Sequence, residues 1–499
     1  MGIASRTKTT TNCLIMNNNI RVRFAPSPTG DLHIGGLRTA LFNELFARHN
    51  NGKLLLRIED TDRERSKAVY TDSIIESLKW AGIVFDEIPI VQSERISHHK
   101  KIIEILIQEG KAYKCYCTPE EVAQRNRERG NESLYDNKYD RYCLSLDTIF
   151  SKSFNINGQA GGNKPFVVRF KLPFEKGPIA FTDLIRGEVT FDVEQLDDFI
   201  ITRSDGQPMY NFVVVVDDHD MQISHVIRGE DHISNTPKQI LLYQACGYAV
   251  PQFAHLPLIL GPSGNRLSKR DAATSTLEYR QNGYLPQALI NYLARLGWAH
   301  GDQEKFSKQE MIGLFELKNV GKCGARFDQE KLDWLNGVYM REMSAQALLN
   351  LIIADIDPAV EKKTPYFSEQ QRYALIDIYK ERVKTVAEIV QSIISVHSAP
   401  SSFDVDALEE WITPAIRTHL VSIIAILEAV DPFTIELVSQ AIKNMAKQLN
   451  VKLVMLAQPI RIALLGTSSG PGVFDLVATL GKQETIDRLK KLYSIQIKK

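Results

Sequence analysis

Two distant stretches of this 499-residue chain carry residue types suited to phosphate chemistry. The first runs Pro26-Ser27-Pro28-Thr29-Gly30-Asp31-Leu32-His33-Ile34-Gly35-Gly36. It separates an apolar strand from a helix, so the His33 imidazole and free backbone N–H groups face one crevice. Helix N-termini attract phosphate through unpaired N–H groups and the positive end of the dipole. Glycines let a nucleotide approach the backbone closely. A tight turn serving packing alone is the competing reading. The second stretch is Gly264-Asn265-Arg266-Leu267-Ser268-Lys269-Arg270. Three cations in five residues beside a glycine suit a loop that closes on polyphosphate. Taken alone, it also fits a solvated basic loop. Together the stretches predict one triphosphate held between an imidazole and an ammonium.

A second constellation is soft. Cys115-Tyr116-Cys117 is followed by Tyr139-x3-Cys143, and no histidine lies between residues 100 and 218. Three thiols in a polar segment suggest zinc, which prefers four thiolate or imidazole ligands. The residues leave the fourth ligand open, and three free thiols are the alternative. Six cysteines in a chain this long do not suggest a secreted disulfide framework, and Cys13, Cys246 and Cys323 read as isolated thiols.

The elements that must position these residues are legible. Ile20–Phe24 reads as a strand. A helix follows from near Gly35 toward His49, with Leu37, Ala40, Leu41 and Leu45 at helical spacing. Asn51-Gly52 ends it, and Lys53–Ile58 reads as a second strand, parallel to the first by the right-handed crossover rule. Residues 116–165 read as an irregular insertion, and Phe166–Leu172 resumes as strand. Phe212–Val216 is apolar and β-branched, which predicts a strand buried on both faces, with Asp217 and Asp218 at its carboxyl end. Those two aspartates read as structural acceptors, with a metal site as the alternative. From about Ala345 apolar residues recur at three and four. Ala345–Asp355, Glu369–Val396 and Thr434–Asn450 read as amphipathic helices, and the C-terminal region as all-helical.

Composition bounds the class. Hydrophobic residues make up 44% and charged residues 24%, as in ordinary globular proteins. No run of eighteen apolar residues suggests a membrane span. Lys and Arg total 60, as do Asp and Glu, so RNA binding would need a local basic surface. From Lys443 onward ten basic residues face three acidic ones, which fits such a surface or a solvated helix face. Residues 1–19 are polar, without an apolar signal core, and read as an extension, with Met16 as a second candidate start. The expected compartment is the cytoplasm.

The two phosphate-type stretches resemble paired signatures of class I aminoacyl-tRNA synthetases. His33-Ile34-Gly35-Gly36 is similar to HIGH, and Arg266-Leu267-Ser268-Lys269-Arg270 to KMSKS. RFAPSPTGDLHIGGLRTALFNELFARH, LLRIEDTDRER, VVVDDHDMQISHVIRGEDHISNTP, GYLPQALINYLARLGW and FDQEKLDWLNG resemble glutamyl-tRNA synthetases in particular. The likeness runs from Ile20 to Leu492. Departures are Gly36 for the last histidine, Arg266 for the first lysine, Leu267 for methionine and Arg270 for the final serine.

The resemblance implies a Rossmann-like α/β parallel-sheet catalytic domain, an inserted acceptor-binding subdomain and an all-α anticodon-binding domain. The expected boundaries are an extension at 1–19, the catalytic domain at 20–115 and 206–264, and the insertion at 116–205. A stem-contact region with the KMSKS loop follows at 265–345, then the helical domain at 346–499. It implies ATP with Mg2+, L-glutamate and tRNA-Glu as substrates, one structural Zn2+, and a monomer without membrane attachment. His33 and Lys269 are the catalytic candidates. Pro26, Thr29, Gly30, Gly35, Gly36, Arg266 and Ser268 join them around ATP. Arg23, Ser27, Glu59, Tyr210 and Arg228 match positions that hold glutamate, with Glu59 facing the ammonium. Cys115, Cys117, Tyr139 and Cys143 match the zinc ligands of metal-binding members.

Each residue has a plainer reading. Arg23 could be an outward strand residue, Arg228 a partner of Glu230 or Asp231, and Tyr210 core. Glu59 and Asp60 could cap a helix at Thr61. Arg461 and the turn Gly466–Gly470 fit an anticodon contact or a helix cap equally. Competing functions are a non-discriminating enzyme that also charges tRNA-Gln and an inactive tRNA-binding paralogue. The helical C-terminus disfavours a truncated nucleoside-modifying relative and a glutaminyl enzyme ending in β-barrels.

Overall fold

The structure, a computed structural model, describes residues 20–129, 138–145, 165–173, 177–193, 196–267 and 275–495. It divides into two compact units. One holds the chain to Arg266 together with Ala294–Arg326, the other Leu267–Leu293 together with Phe327–Lys499.

The first unit is built on parallel strands. β1 (Arg21–Phe24) and β2 (Lys53–Ile58) pair in parallel, Arg23 opposite Leu55, and β3 (Ile90–Val91) adds to β2. The crossover is α1 (Ile34–His49), whose Leu37, Ala40, Leu41 and Leu45 are all buried. Then come α2 (Ala68–Trp80), α3 (Ile96–Gln108) and β4 (Ala112–Cys115). The stretch after β4, expected to be irregular, opens with a helix, α4 (Pro119–Glu128). Its start is a reciprocal capping box, Thr118 with Glu121, with proline in the first turn. β5 (Val167–Phe170) pairs antiparallel with β4 and with β8 (Ile200–Thr202).

Between β5 and β8 the hairpin β6 (Ile179–Asp183) and β7 (Gly187–Phe191) joins a different sheet. That sheet has the order β7-β6-β10-β9, with β9 (His225–Gly229) and β10 (Gln252–Leu256) parallel. Ser224, just before β9, donates its N–H to Arg21 O at 2.9 Å, which ties this sheet to β1. A short parallel pair, β11 (Ile259–Leu260) and β12 (Ala325–Arg326), completes the unit.

One expectation fails instructively. Phe212–Val216 is not a strand but the middle of a helix, α5 (Tyr210–Asp220). An unbroken apolar run has no period, so a central strand and a fully buried helix are indistinguishable from it. Here Phe212 to Asp218 are all buried, and burial on every side overrides the β-branched residues' weak preference. Asp217 and Asp218 therefore sit at a helix C-terminus, not at a strand end. α6 (Thr236–Cys246) follows β9.

The second unit is helical among its described residues. The Glu369–Val396 periodicity is two helices, Glu369–Lys380 and Val386–His397, the second begun by Thr385 as N-cap. Ala345–Leu351 runs on into a π turn at Ile352–Ile356, and Thr434 caps Ile435–Gln448. Leu348, Leu375, Ile389, Leu420, Ile442 and Leu476 pack into one core. Gly466, with φ of 79°, caps Val454–Leu465, and Arg461 donates to Ser468 O and Pro471 O. That favours the capping role for this turn. No single described helix is long and apolar enough to cross a membrane.

Candidate active site and cysteine cluster

His33 is the N-cap of α1, and its Nδ1 accepts the Gly36 N–H at 3.2 Å. A neutral imidazole that accepts at Nδ1 carries its proton on Nε2. The packed surroundings, then the Arg266 charge, hold its pKa below the ordinary histidine value, although the side chain is exposed. A Cβ at Gly36 would stand 2.8 Å from Leu32 Cδ1, so a side chain there would have to displace that leucine. Pro26 O accepts the Glu59 N–H at 2.9 Å, which extends the β1–β2 pairing into the turn.

Arg266 bridges back to Leu260 and lies 3.5 Å from Asp231 in an exposed pair. Its charge is among the causes that lower the His33 pKa. Ser268, Lys269 and Arg270 lie outside the described residues.

Beside the His33 turn, buried charges from separate elements meet. Arg23 of β1 points inward: its Nε donates to Asp218 Oδ1 at 3.0 Å, which removes the outward reading. Asp218 also accepts from Arg57 Nη1 at 2.5 Å, and Arg57 Nη2 donates to Glu59 Oε1 at 2.9 Å. Glu59 therefore pairs across its own strand and caps no helix at Thr61. Asp60 accepts from Ser93 N at 2.8 Å. Burial pushes the Asp218 carboxyl up, but Arg23 and Arg57 outweigh it and hold it below the usual range. For Glu59 burial wins, and its carboxyl lies above the usual range despite Arg57. Asp217 accepts from Gln92, Arg95 and His99 at 2.8–2.9 Å, so both aspartates act as hydrogen-bond acceptors, as the plainer reading held.

Arg228 of β9 is 5% exposed. It bonds neither Glu230 nor Asp231. Nη1 donates to Gln239 Oε1 at 2.8 Å, Nη2 to Thr236 Oγ1 at 2.9 Å, and Nε to His255 Nε2 at 3.1 Å. All three acceptors are neutral. Burial lowers the Arg228 pKa, with the Arg23 charge adding to it and the Asp218 charge opposing it. Tyr210 is half-buried, its hydroxyl 3.1 Å from His232 Nδ1. Burial and the Glu59 charge push its phenol up to about 12. Arg23, Glu59, Tyr210 and Arg228 thus converge electrostatically, while Ser27 is exposed on the turn.

The site also holds residues that sequence reasoning passed over: Arg57, Asp183, Thr236, Gln239 and His255. Arg57 left a trace, because strand alternation puts Leu55, Arg57 and Glu59 on one face. A charge on the buried face of an apolar strand needs a partner. The others had no local signal.

β4 and the residues after it gather the cysteines. The Sγ atoms of Cys115, Cys117 and Cys143 all lie within 4.8 Å of one another, with Cys117 and Cys143 at 3.4 Å. Tyr139 Oη is 3.9 Å from Cys117 Sγ and accepts the Cys143 N–H at 2.9 Å. Zinc–sulfur bonds of about 2.3 Å in a tetrahedron put ligand atoms about 3.8 Å apart. The separations of Cys117 Sγ from Cys143 Sγ (3.4 Å) and from Tyr139 Oη (3.9 Å) bracket that spacing. Burial opposes thiolate formation at Cys143, but hydrogen bonds from Tyr139, Tyr116 N–H and Cys117 outweigh it and lower its pKa.

Residues 19–334 match the family described as tRNA synthetases class I (E and Q), catalytic domain, and residues 350–493 match an anticodon binding domain. The chain belongs to the class I tRNA synthetases for glutamate and glutamine. Within that class it belongs to the glutamate–tRNA ligases. It is 44% identical to the glutamate–tRNA ligase of Thermodesulfovibrio yellowstonii, over 95% of this chain and 99% of that one. It is 43% identical to that of Geobacter sulfurreducens, over 95% and 98%. The crystal structure of a glutamate tRNA ligase from Elizabethkingia meningosepticum in complex with its amino acid superposes with a TM-score of 0.82, at 35% identity, over 95% of this chain and 99% of that one.

Proposed function

We propose that the cleft at the ends of β1, β2 and β9 binds L-glutamate, with Arg23 and Arg228 on its carboxylates and Glu59 on its ammonium. Ser27 and Tyr210 complete the contacts. Arginine suits the task because its planar fork grips a carboxylate through two hydrogen bonds. Glutamine would set a neutral amide against a desolvated cation. Aspartate is one methylene shorter, a difference worth only about 1–3 kcal/mol through apolar contact. Polar pairing therefore supplies most of the selection.

ATP, entering with Mg2+, lies over the His33 turn, flanked by Pro26, Thr29, Gly30, Gly35 and Gly36 on one side. Arg266, Ser268 and Lys269 flank it on the other. A glutamate carboxylate oxygen attacks the α-phosphorus, the bond to pyrophosphate breaks, and glutamyl-adenylate forms. His33 donates from Nε2 to the phosphate as charge develops, and Lys269 neutralises the leaving pyrophosphate. A terminal ribose hydroxyl of tRNA-Glu then attacks the acyl carbon and AMP leaves. Cys115, Cys117, Tyr139 and Cys143 would hold one zinc ion that braces the insertion. The enzyme acts as a cytoplasmic monomer, and its helical unit reads the anticodon.

The observation that carries the glutamate assignment is Arg228, a buried cation whose described hydrogen bonds end only on neutral acceptors. Aminoacylation with labelled glutamate on separate tRNA-Glu and tRNA-Gln transcripts tests it, beside Arg228→Ala. Charging of tRNA-Glu, with a glutamate KM that the substitution raises steeply, is expected. Charging of tRNA-Gln as well would identify the non-discriminating form, and no charging of either would remove the reading.

A further inference from the structure

Behind Arg228 stands a row of buried groups that the proposed chemistry does not use. In the parallel β9–β10 pair, His255 stands opposite Arg228, and on the next strand Asp183 stands opposite Phe253. Asp183 and His255 are both fully buried. The imidazole stacks on Phe253 at an interplanar angle of 11°. Its Nδ1 is 2.6 Å from Asp183 Oδ2. Its Nε2 is 3.1 Å from Arg228 Nε and 3.2 Å from Thr236 Oγ1.

These contacts permit one protonation state. Asp183 also accepts the main-chain N–H groups of Ile185 (3.0 Å), Arg186 (2.8 Å) and His255 (3.1 Å). Burial disfavours its charge, yet these donors and the imidazole outweigh that and hold it ionised. An ionised carboxylate only accepts, so His255 Nδ1 carries a proton. Arginine only donates, so His255 Nε2 is bare. Thr236 Oγ1 accepts from Arg228 Nη2, which frees its own hydrogen for the same Nε2. The other charge near the ring, Arg186, also disfavours an imidazolium; His232, with its pKa lowered to about 4, is neutral there, and Glu230 is engaged by Arg186.

We propose that Asp183 and His255 are positioning residues for glutamate: Asp183 selects the tautomer whose bare Nε2 aligns the Arg228 guanidinium toward the substrate carboxylate. This rests on Arg228 being a glutamate ligand. His255 supplies an acceptor without negative charge. A carboxylate in its place would neutralise Arg228 and compete with the substrate. Gln239 serves the other edge in the same way, its amide oxygen turned to Arg228 because its NH2 donates to Asn211 Oδ1 at 3.1 Å.

Steady-state aminoacylation of the full chain, with tRNA-Glu present and glutamate and ATP varied separately, tests this. His255→Leu removes the acceptor. It should raise the glutamate KM about 10- to 100-fold, the range for losing a hydrogen bond to a charged group. The ATP KM should stay within about twofold. His255→Gln restores an acceptor near Nε2 and should recover most of the loss. Asp183→Asn can present an N–H to Nδ1, which drives the ring proton to Nε2, and should resemble His255→Leu. Equal shifts in both KM values, or no recovery in His255→Gln, would overturn the proposal. If Arg228→Ala raises the glutamate KM while His255→Leu and Asp183→Asn do not, only the positioning role fails. If Arg228→Ala leaves it unchanged, the glutamate site itself is misassigned. Nitrogen-15 spectra of the unmodified enzyme give a readout independent of variant folding. His255 should show the Nδ1-protonated tautomer at neutral pH, and the opposite tautomer or an imidazolium would refute the relay.

Discussion

Arg57 joins Glu59 to Asp218: one guanidinium nitrogen lies 2.9 Å from Glu59 Oε1 and the other 2.5 Å from Asp218 Oδ1, with no part of the arginine exposed. Because Asp218 also holds Arg23, a buried chain of alternating charge runs from the residue assigned to a substrate carboxylate to the one assigned to its ammonium. The order of charges mirrors a zwitterion.

Arg57→Met would leave two carboxylates buried with fewer partners. Breaking such a pair costs about 3–5 kcal/mol, and urea denaturation should show a loss of that order. Glu59, already raised by burial, would lose its main counter-charge and shift further toward the neutral acid, so the glutamate KM should rise too. Arg57→Lys should fall between, since an ammonium is a point charge without the fork that spans both carboxylates. Wild-type stability in Arg57→Met would show that the charge chain does no structural work.

His33→Ala and Lys269→Ala should each slow glutamyl-adenylate formation about 10²–10³-fold, the usual effect of removing one preorganised donor. Single-turnover pyrophosphate release with tRNA present measures this. His33→Asn can keep the acceptor for the Gly36 N–H, separating the capping role from the donor role. Unchanged turnover in both alanine variants would end their catalytic assignment.

Elemental analysis after exhaustive dialysis should find about one zinc per chain, the stoichiometry of a single tetrahedral site. Cys143→Ser should lower the metal content and destabilise the segment around β4 and α4. Tyr139→Phe isolates the phenol oxygen as a ligand. A metal-free, fully active protein would leave three neighbouring thiols and no zinc.

Stability should fall as the solution is acidified from about pH 6.5 toward about pH 4. Burial, and then the Arg228 charge, lower the His232 pKa to about 4, against an ordinary value of 6.5. Between those values the unfolded chain binds the proton and the folded chain does not, so lower pH favours unfolding. His33, His225 and His255 are displaced in the same direction. Glu59 works in the opposite sense, because a raised carboxyl pKa favours the protonated folded state. Urea midpoints across this range should decline, and His232→Asn should flatten part of the slope. A flat profile in the unmodified protein would contradict the sign.

Much of the fold was readable where a period repeats. The strand–helix–strand unit from Arg21 to Ile58 is as its helical spacing and the crossover rule predict. The three C-terminal stretches singled out by apolar residues at three and four are helical, but the break at residues 381–385 and the π turn at Ile352–Ile356 were missed. Where period vanished, reading failed: Phe212–Val216 has no polar face, and its helix shows only in what surrounds it. The hairpin β6–β7 does alternate half-buried and exposed residues and was passed over; what no local pattern could show is its sheet partner β10, which lies far along the chain.

The sequence by itself determined the chemical inventory: an imidazole at a helix start, a basic glycine loop, three thiols, and, through its resemblance to a family, arginines and an acid at positions matched to glutamate. It could not say which of those charges are already neutralised. Arg23 finds Asp218 195 residues away, and Arg57 finds it 161 residues away, whereas Arg228 finds only neutral acceptors. Pairing depends on strand register and on a few ångströms inside a medium that screens poorly. Tertiary structure alone decided that Arg228, unlike Arg23 and Arg57, was left without a carboxylate.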